Sequence, residues 1–398
     1  MGLKILVLGS GLVGPAAAFN AMLDPDVSKV VVCDYSPAQL DACGRQLDGK
    51  AGSEKFSVVQ IDLADQAAAA QLLSGFDVAI AALPHSVNMY GIRAAILARK
   101  PLVDLTWPDE EQVAQVKHDA EASGTLIVPG CGLEPGLTEI MARHLAEKMD
   151  EVDEVHIKVG GVPAVPAPPL GYKIVFGGRQ LPLRESDAWC VSDGALRHVP
   201  RYSGVELLRF EGVDEVEAWH EGFMPWLLEL PALKSLRTGT QKTIRWPGYA
   251  SKVSMLKELG LLSLAPVNVD GTAVAPKKLL DALLYPRVKL EEGEHDITLF
   301  RVEVIGRARG LPRRYRMDMV DRYDEKTGFT SMARTTAFTG AIVARMIARG
   351  DLKGVGLVSP EKLITGPLLD RLVDELAAQG VHFELTTQEI APLRPVAD

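Results

Sequence analysis

A glycine pattern close to the N-terminus constrains this chain more than any other feature. Lys4-Ile5-Leu6-Val7-Leu8 is a short apolar run, the pattern of a strand buried in a parallel sheet. It leads directly into Gly9-Ser10-Gly11-Leu12-Val13-Gly14, and an alanine-rich helix is expected from Pro15 to about Leu23. Pro15 suits a first helical turn because the N–H it lacks has no intrahelical acceptor there. A second apolar run, Lys29 to Asp34, completes a βαβ unit. Alone, GxGxxG is a weak pattern; between a strand and a helix in a unit of this length it marks a dinucleotide site. Gly9 permits the tight turn, Gly11 lets a pyrophosphate approach the backbone, and Gly14 lets the helix pack on the strand. The helix N-terminus adds free N–H donors and the positive end of a dipole. Ser10, Leu12 and Val13 belong to the same cradle.

Asp34 ends the second strand, about 20 residues past the glycines, where a carboxylate accepts hydrogen bonds from an adenosine ribose and repels a 2′-phosphate. Tyr35 and Ser36 follow, with no arginine. The expected cofactor is NAD, not NADP; the plain alternative is a glycine turn with an incidental aspartate. Asp62 and Leu63 after the third strand, and Leu83 and Pro84 after the fourth, complete the candidate cofactor contacts.

Strands and helices alternate up to Thr125–Pro129, as in a Rossmann-type doubly wound parallel sheet of an α/β protein. The later strands, at Val155–Gly160, Tyr172–Phe176, Thr298–Val304 and Arg314–Val320, alternate polar and apolar residues. That period of two predicts a second, α+β domain with a mixed or antiparallel sheet. From Ser331 the pattern is helical again, with a late strand expected at Val381–Leu385. With 398 residues, more than one core usually supports, the expected division has three parts. Residues 1–131 form a dinucleotide-binding domain, residues 132–331 a substrate-binding and oligomerisation domain, and residues 332–398 a helical tail returning to the first.

Composition narrows the function. The chain is 47% hydrophobic and 24% charged, as globular proteins are, and its net charge of -9 disfavours nucleic-acid binding through phosphates. Four scattered cysteines show no metal or disulfide spacing. No uncharged stretch has the roughly 18 residues of a membrane helix. The first residues enter a strand without a leader-like pattern, so the expected location is the cytoplasm, with free buried thiols.

The chemistry gathers where a doubly wound sheet binds ligands, beyond the carboxyl ends of its strands. His85, Asp104, Thr106 and Glu134 sit in the segments that end the fourth, fifth and sixth strands. Each also has a bland reading: a solvated loop histidine, turn acceptors, a helix-start acid. Tyr285 and Lys289 match a Tyr-x-x-x-Lys pair only by chance, since a proline lies between them. No metal site is expected.

Several longer segments carry a family resemblance: Gly130-Cys-Gly-Leu-Glu-Pro-Gly-Leu-Thr138, Val159-Gly-Gly-Val-Pro163, Pro168-Pro-Leu-Gly-Tyr-Lys173, Ile244-Arg-Trp-Pro-Gly248, Lys257-Glu-Leu-Gly260 and Ala333-Arg-Thr-Thr-Ala-Phe-Thr339. Running in order over most of the chain, they resemble the saccharopine dehydrogenase-like proteins, and within them most of all the lysine 6-dehydrogenases. The resemblance implies a tail that returns to the nucleotide domain, a homo-oligomer built through the second domain, and oxidation of a carbon–nitrogen bond in lysine or a lysine-derived amino acid. It makes Arg245 a ligand of the substrate carboxylate and adds Tyr172 and Lys173 to the substrate contacts. At Glu134 the chain departs from fungal saccharopine reductases, which carry Asp there. A substrate amine must be neutral to release hydride, yet free lysine amines have a pKa near 10.4, so burial or a base is needed. Glu134, Asp104 and His85 are the candidate bases. The alternatives are a saccharopine dehydrogenase or reductase, a carboxynorspermidine-type reductase, or a nucleotide-sensing protein without catalysis.

Overall fold

The computed structural model describes residues 2–175 and 181–390. The chain divides into two compact units. One comprises the residues up to Ile140 together with Asp324–Val381, the other Met141–Tyr323 with the residues from His382 onward.

The first unit opens with β1 (Leu3–Leu8), α1 (Gly14–Met22), β2 (Val27–Asp34), α2 (Pro37–Leu47), β3 (Phe56–Gln60) and α3 (Gln66–Ser74). It continues with β4 (Val78–Ala81), α4 (Asn88–Ala98), β5 (Leu102–Asp104), α5 (Glu110–Ser123), β6 (Leu126–Val128) and α6 (Leu137–Ala146), inside which the boundary between the units falls. The strands pair in parallel in the order β6-β5-β4-β1-β2-β3, reversing direction of growth at β1 and β4, beside the glycine loop. β4 is buried along its whole length and β1 over its last four residues, which is why both read as plain apolar runs.

Every residue of α1 is buried, because its alanines let a second helix lie close. The second unit's strands and helices are β7 (Glu151–Pro163), β8 (Ala188–Ser192), β9 (Ala195–Val199), β10 (Glu206–Phe210), β11 (Val213–His220), β12 (Thr238–Arg245), α7 (Tyr249–Glu258), β13 (Val267–Val269), β14 (Thr272–Val274), α8 (Pro276–Val288), β15 (Asp296–Ala308) and β16 (Leu311–Arg322). The chain then returns to the first unit as α9 (Ser331–Arg349), capped by the Thr330 side chain and ended by Gly350 in the left-handed region at φ 80°. α9 packs on α1, with Phe19 6.4 Å from Phe338 between ring centres. Arg345 fastens the pair, donating to Asp24 Oδ2 and Asn20 Oδ1, both at 2.8 Å. β17 (Gly356–Leu357) adds a seventh parallel strand beside β6, followed by α10 (Pro360–Leu363) and α11 (Pro367–Ala378). β18 (Glu384–Glu389) then pairs with β16 in the second unit.

The second unit is built on a mixed sheet ordered β10-β11-β12-β7-β15-β16-β18, with the β8–β9 hairpin attached to β12. The sheet curls on itself: Arg301 of β15 donates to Arg209 O and Arg322 of β16 to Gly212 O. α7 and α8 bury Val253, Leu284 and Val288 in one cluster with Tyr172, Trp219 and Tyr249.

Most expected strands fall where the alternation places them. Of the expected strand at Tyr172–Phe176 only a bridge between Ile174 and Lys289 is seen, and Phe176 lies outside the described residues. The late strand is shifted to Glu384–Glu389. The hairpins β8–β9 and β10–β11 have no counterpart in the sequence reading. β9 has no fully buried residue and therefore carries no clean alternation.

Candidate functional site

The glycine loop has the geometry its pattern requires. Gly9 takes φ 97°, and a Cβ there would lie 2.6 Å from Ala82 O. At Gly14 a Cβ would lie 2.0 Å from Gly9 O, which fixes α1 close to the turn. A Cβ on Gly11, by contrast, would meet nothing within 4 Å. Two glycines thus serve packing, and the third leaves the backbone open to a ligand. No side chain caps Val13 at the start of α1, so the first-turn N–H groups are left for an external acceptor. These residues fit a dinucleotide pyrophosphate.

Asp34 is tied into this loop. Its Oδ2 accepts the backbone N–H and the hydroxyl of Ser10, both at 2.9 Å, and its Oδ1 accepts the Ser36 N–H at 2.9 Å. Leu12 is half exposed. Asp62 is exposed and accepts the Ala64 N–H, while Leu63 and Leu83 lean on the core of the first sheet. Pro84 is exposed at the end of β4.

At the carboxyl ends of β4, β5 and β6 the expected polar groups converge only in part. Asp104 has no exposed surface. Its Oδ1 accepts the N–H and hydroxyl of Thr106, its Oδ2 accepts Asn88 Nδ2, and burial outweighs these bonds to push its pKa up to about 7. Thr106 is half-buried and committed to Asp104. Backbone bonds from Gly130 N to Thr106 O and from Cys131 N to Asp104 O, both 2.8 Å, hang the next loop on this corner. That loop presents Glu134, half-buried, before a cis peptide to Pro135. A Cβ at Gly136 would lie 2.5 Å from Gly132 O, so the turn is closed to any larger residue. His85 stands apart, exposed and 3.0 Å from Asp109.

Sequence reasoning missed the supports of this loop. Asn88 bridges Asp104 and the carbonyl of Trp107. Glu139, fully buried, accepts the Gly136 N–H at 2.6 Å and the Thr138 hydroxyl at 2.7 Å. A glutamate three residues after the loop's last glycine was the available signal, as in a capping arrangement. Glu361, buried and hydrogen-bonded by Ser359, has its pKa pushed up to about 7 by burial. Among the described residues, no group of three or more His, Cys, Asp or Glu could hold a metal ion, and the four cysteines are unpaired and buried. No helix there is long and apolar enough to cross a membrane.

In the second unit Arg245 ends β12 and is 4% exposed. Its guanidinium lies 4.7 Å from the ring centre of Tyr172 and 5.7 Å from that of Tyr249, and Nη1 donates to Ile244 O. Glu217, its cross-strand neighbour, is occupied by the N–H groups of Gly248 and Ala250. Lys173 is committed elsewhere, 2.9 Å from Glu294 and bonded to Lys289 O.

Two family models cover the chain: the saccharopine dehydrogenase NADP binding domain over residues 5–128 and the saccharopine dehydrogenase C-terminal domain over residues 132–381. The chain belongs to the saccharopine dehydrogenase family. Among curated relatives, the NADP+, L-glutamate-forming saccharopine dehydrogenase of Saccharomyces cerevisiae is 22% identical, the match covering 97% of this chain and all of the relative. The carboxynorspermidine synthase of Vibrio alginolyticus is also 22% identical, over 99% of each chain. The solved apo saccharopine dehydrogenase (L-Glu forming) of Saccharomyces cerevisiae shares the fold, with a TM-score of 0.79 at 19% identity over 98% of this chain and all of that one. As a member of the saccharopine dehydrogenase family, the chain is an oxidoreductase of carbon–nitrogen bonds that uses a nicotinamide dinucleotide.

Proposed function

We propose that this member of the family is an NAD-dependent dehydrogenase that oxidises a carbon–nitrogen bond in lysine or a lysine-derived amino acid, as a lysine 6-dehydrogenase does. The observation that carries the substrate class is Arg245. A guanidinium 4% exposed, with no carboxylate within ion-pair distance among the described residues and its Nε without a hydrogen-bond partner, is costly unless a ligand completes it. An amino-acid carboxylate does so, with two parallel hydrogen bonds. Tyr172 flanks the guanidinium. Lys173, held by Glu294, orders the same segment instead of meeting the substrate.

Asp34 supports NAD, although the matching family model is described by NADP; its negative charge at the end of β2 opposes a 2′-phosphate. A nicotinamide dinucleotide held by the glycine loop and Asp34 would supply the hydride acceptor for the carbon that bears nitrogen. This chain's residues supply the rest. Glu134 is the half-buried acid in the site loop and serves as proton acceptor for the substrate ammonium. Asp104, fully buried, acts through Thr106 and the backbone of the Glu134 loop as a positioning residue. His85, paired to Asp109 in the open, serves neither role. A homo-oligomer in the cytoplasm remains part of this reading.

The full-length likeness to saccharopine dehydrogenases and carboxynorspermidine synthases supports a second reading, in which the substrate is a secondary amine with an amino-acid portion on at least one side of the nitrogen. One experiment separates them: reduction of NAD and NADP followed by absorbance with lysine, saccharopine and carboxynorspermidine as substrates. Turnover of lysine with NAD is expected. Turnover of saccharopine or carboxynorspermidine without turnover of lysine overturns the likeness to a lysine 6-dehydrogenase and leaves the second reading, and turnover with NADP alone overturns the choice of NAD.

A further inference from the structure

We infer that Ser10 is a specificity-determining residue: its hydroxyl fixes the Asp34 carboxylate and thereby sets the preference for a dinucleotide with a free adenosine 2′-hydroxyl over one with a 2′-phosphate. The inference rests on the NAD reading and adds a residue to it.

The second position of the glycine pattern tolerates any small residue as far as the turn is concerned, so the turn does not explain a serine. Its side chain does not face the open space over Gly11. Ser10 is 3% exposed, and its hydroxyl turns back to Asp34 Oδ2, which its own N–H also meets. A carboxylate offers about four acceptor sites. Two on Oδ2 are taken by Ser10 and one on Oδ1 by the Ser36 N–H, which leaves the last on Oδ1. The carboxylate is therefore locked in one orientation with a single free acceptor direction. A fixed, charged, singly available acceptor suits a ribose hydroxyl. It excludes a phosphate more sharply than a carboxylate free to swing away. No lysine or arginine lies between Tyr35 and Leu40 to offset that charge.

The test is a fluorescence titration of the full chain with NADH and with NADPH, which needs no substrate. The wild type is expected to favour NADH, and Asp34→Ala to lose that preference. Ser10→Ala should cut the ratio of the two affinities by about fivefold or more, since a hydrogen bond to a charged group is lost. Ser10→Thr, which keeps a hydroxyl, should restore most of the ratio. If Ser10→Ala weakens both dinucleotides equally, Ser10 only staples the loop to β2 and the inference falls while the Asp34 reading stands. If the wild type favours NADPH, or Asp34→Ala keeps the wild-type ratio, the NAD reading itself falls. Should Ser10→Ala fail to fold, Ser10→Cys, of similar size and a weak donor, is read the same way, and an unchanged ratio in it overturns the inference.

Discussion

The guanidinium of Arg245 lies against the face of Tyr172, 4.7 Å from the ring centre, on a side chain that is almost wholly buried. Stacking on an aromatic ring suits the flat, weakly hydrated guanidinium and leaves its edge donors free for a planar anion. Arg245→Lys keeps the charge and loses both the stack and the fork. We expect kcat/KM for the preferred amino acid to fall at least about a hundredfold, with NADH affinity unchanged. Steady-state kinetics beside a cofactor titration check this; wild-type kcat/KM in both Arg245→Lys and Arg245→Ala would remove Arg245 from the substrate contacts.

The glycine loop separates binding from folding. Gly11→Val places its side chain in open space, so the melting temperature should stay near that of the wild type while NADH binding is lost. Gly14→Ala puts a methyl group 2.0 Å from Gly9 O and should destabilise the first unit by several kcal/mol. Thermal denaturation and NADH titration of both variants decide the point. Equal effects on stability would mean that the two glycines serve the same purpose.

Asp104 predicts a pH dependence. Its pKa rises from 3.8 to about 7 on folding, so the folded state holds the proton more tightly than the unfolded one. The contribution is complete below about pH 4 and is lost as pH climbs toward 7, by at most about 4 kcal/mol. Asp104→Asn has no proton to lose. Urea unfolding from pH 5 to pH 8 should show the wild type losing stability relative to the variant as pH rises, and a constant difference would contradict the assignment.

Arg345 anchors the returning helix. Arg345→Ala leaves Asp24, itself buried, with Arg349 as its remaining cationic partner and should cost about 2–4 kcal/mol. Denaturant unfolding measures it; a loss below about 1 kcal/mol would leave the hold of α9 to its apolar face and Arg349.

The first unit was largely legible in the sequence. Lys4–Leu8 and Lys29–Asp34 read as strands because a parallel strand covered on both faces needs little more than an apolar run. The glycine loop read as a nucleotide cradle because each glycine answers a separate steric demand. Helix α9 was visible as the helical pattern that resumes at Ser331. The strand Gly356–Leu357 was not visible, since two residues carry no period and its pairing with β6 depends on the path of the returning chain.

What the sequence by itself determined, then, is local: the periods of strands and helices, the turn at the glycines, the acid at the end of β2, and the family to which the segments belong. The tertiary structure decided how the polar residues are used. Asp104 and His85 looked equivalent as polar groups after strands. Folding buries the first under Thr106 and Asn88 and leaves the second in solvent beside Asp109. Lys173 and Arg245 were two basic residues in matching segments. Folding gives one a carboxylate and sets the other between aromatic rings with a backbone carbonyl as hydrogen-bond acceptor. Burial and partnership arise from segments far apart in the chain, and neither leaves a trace in the spacing of neighbouring residues.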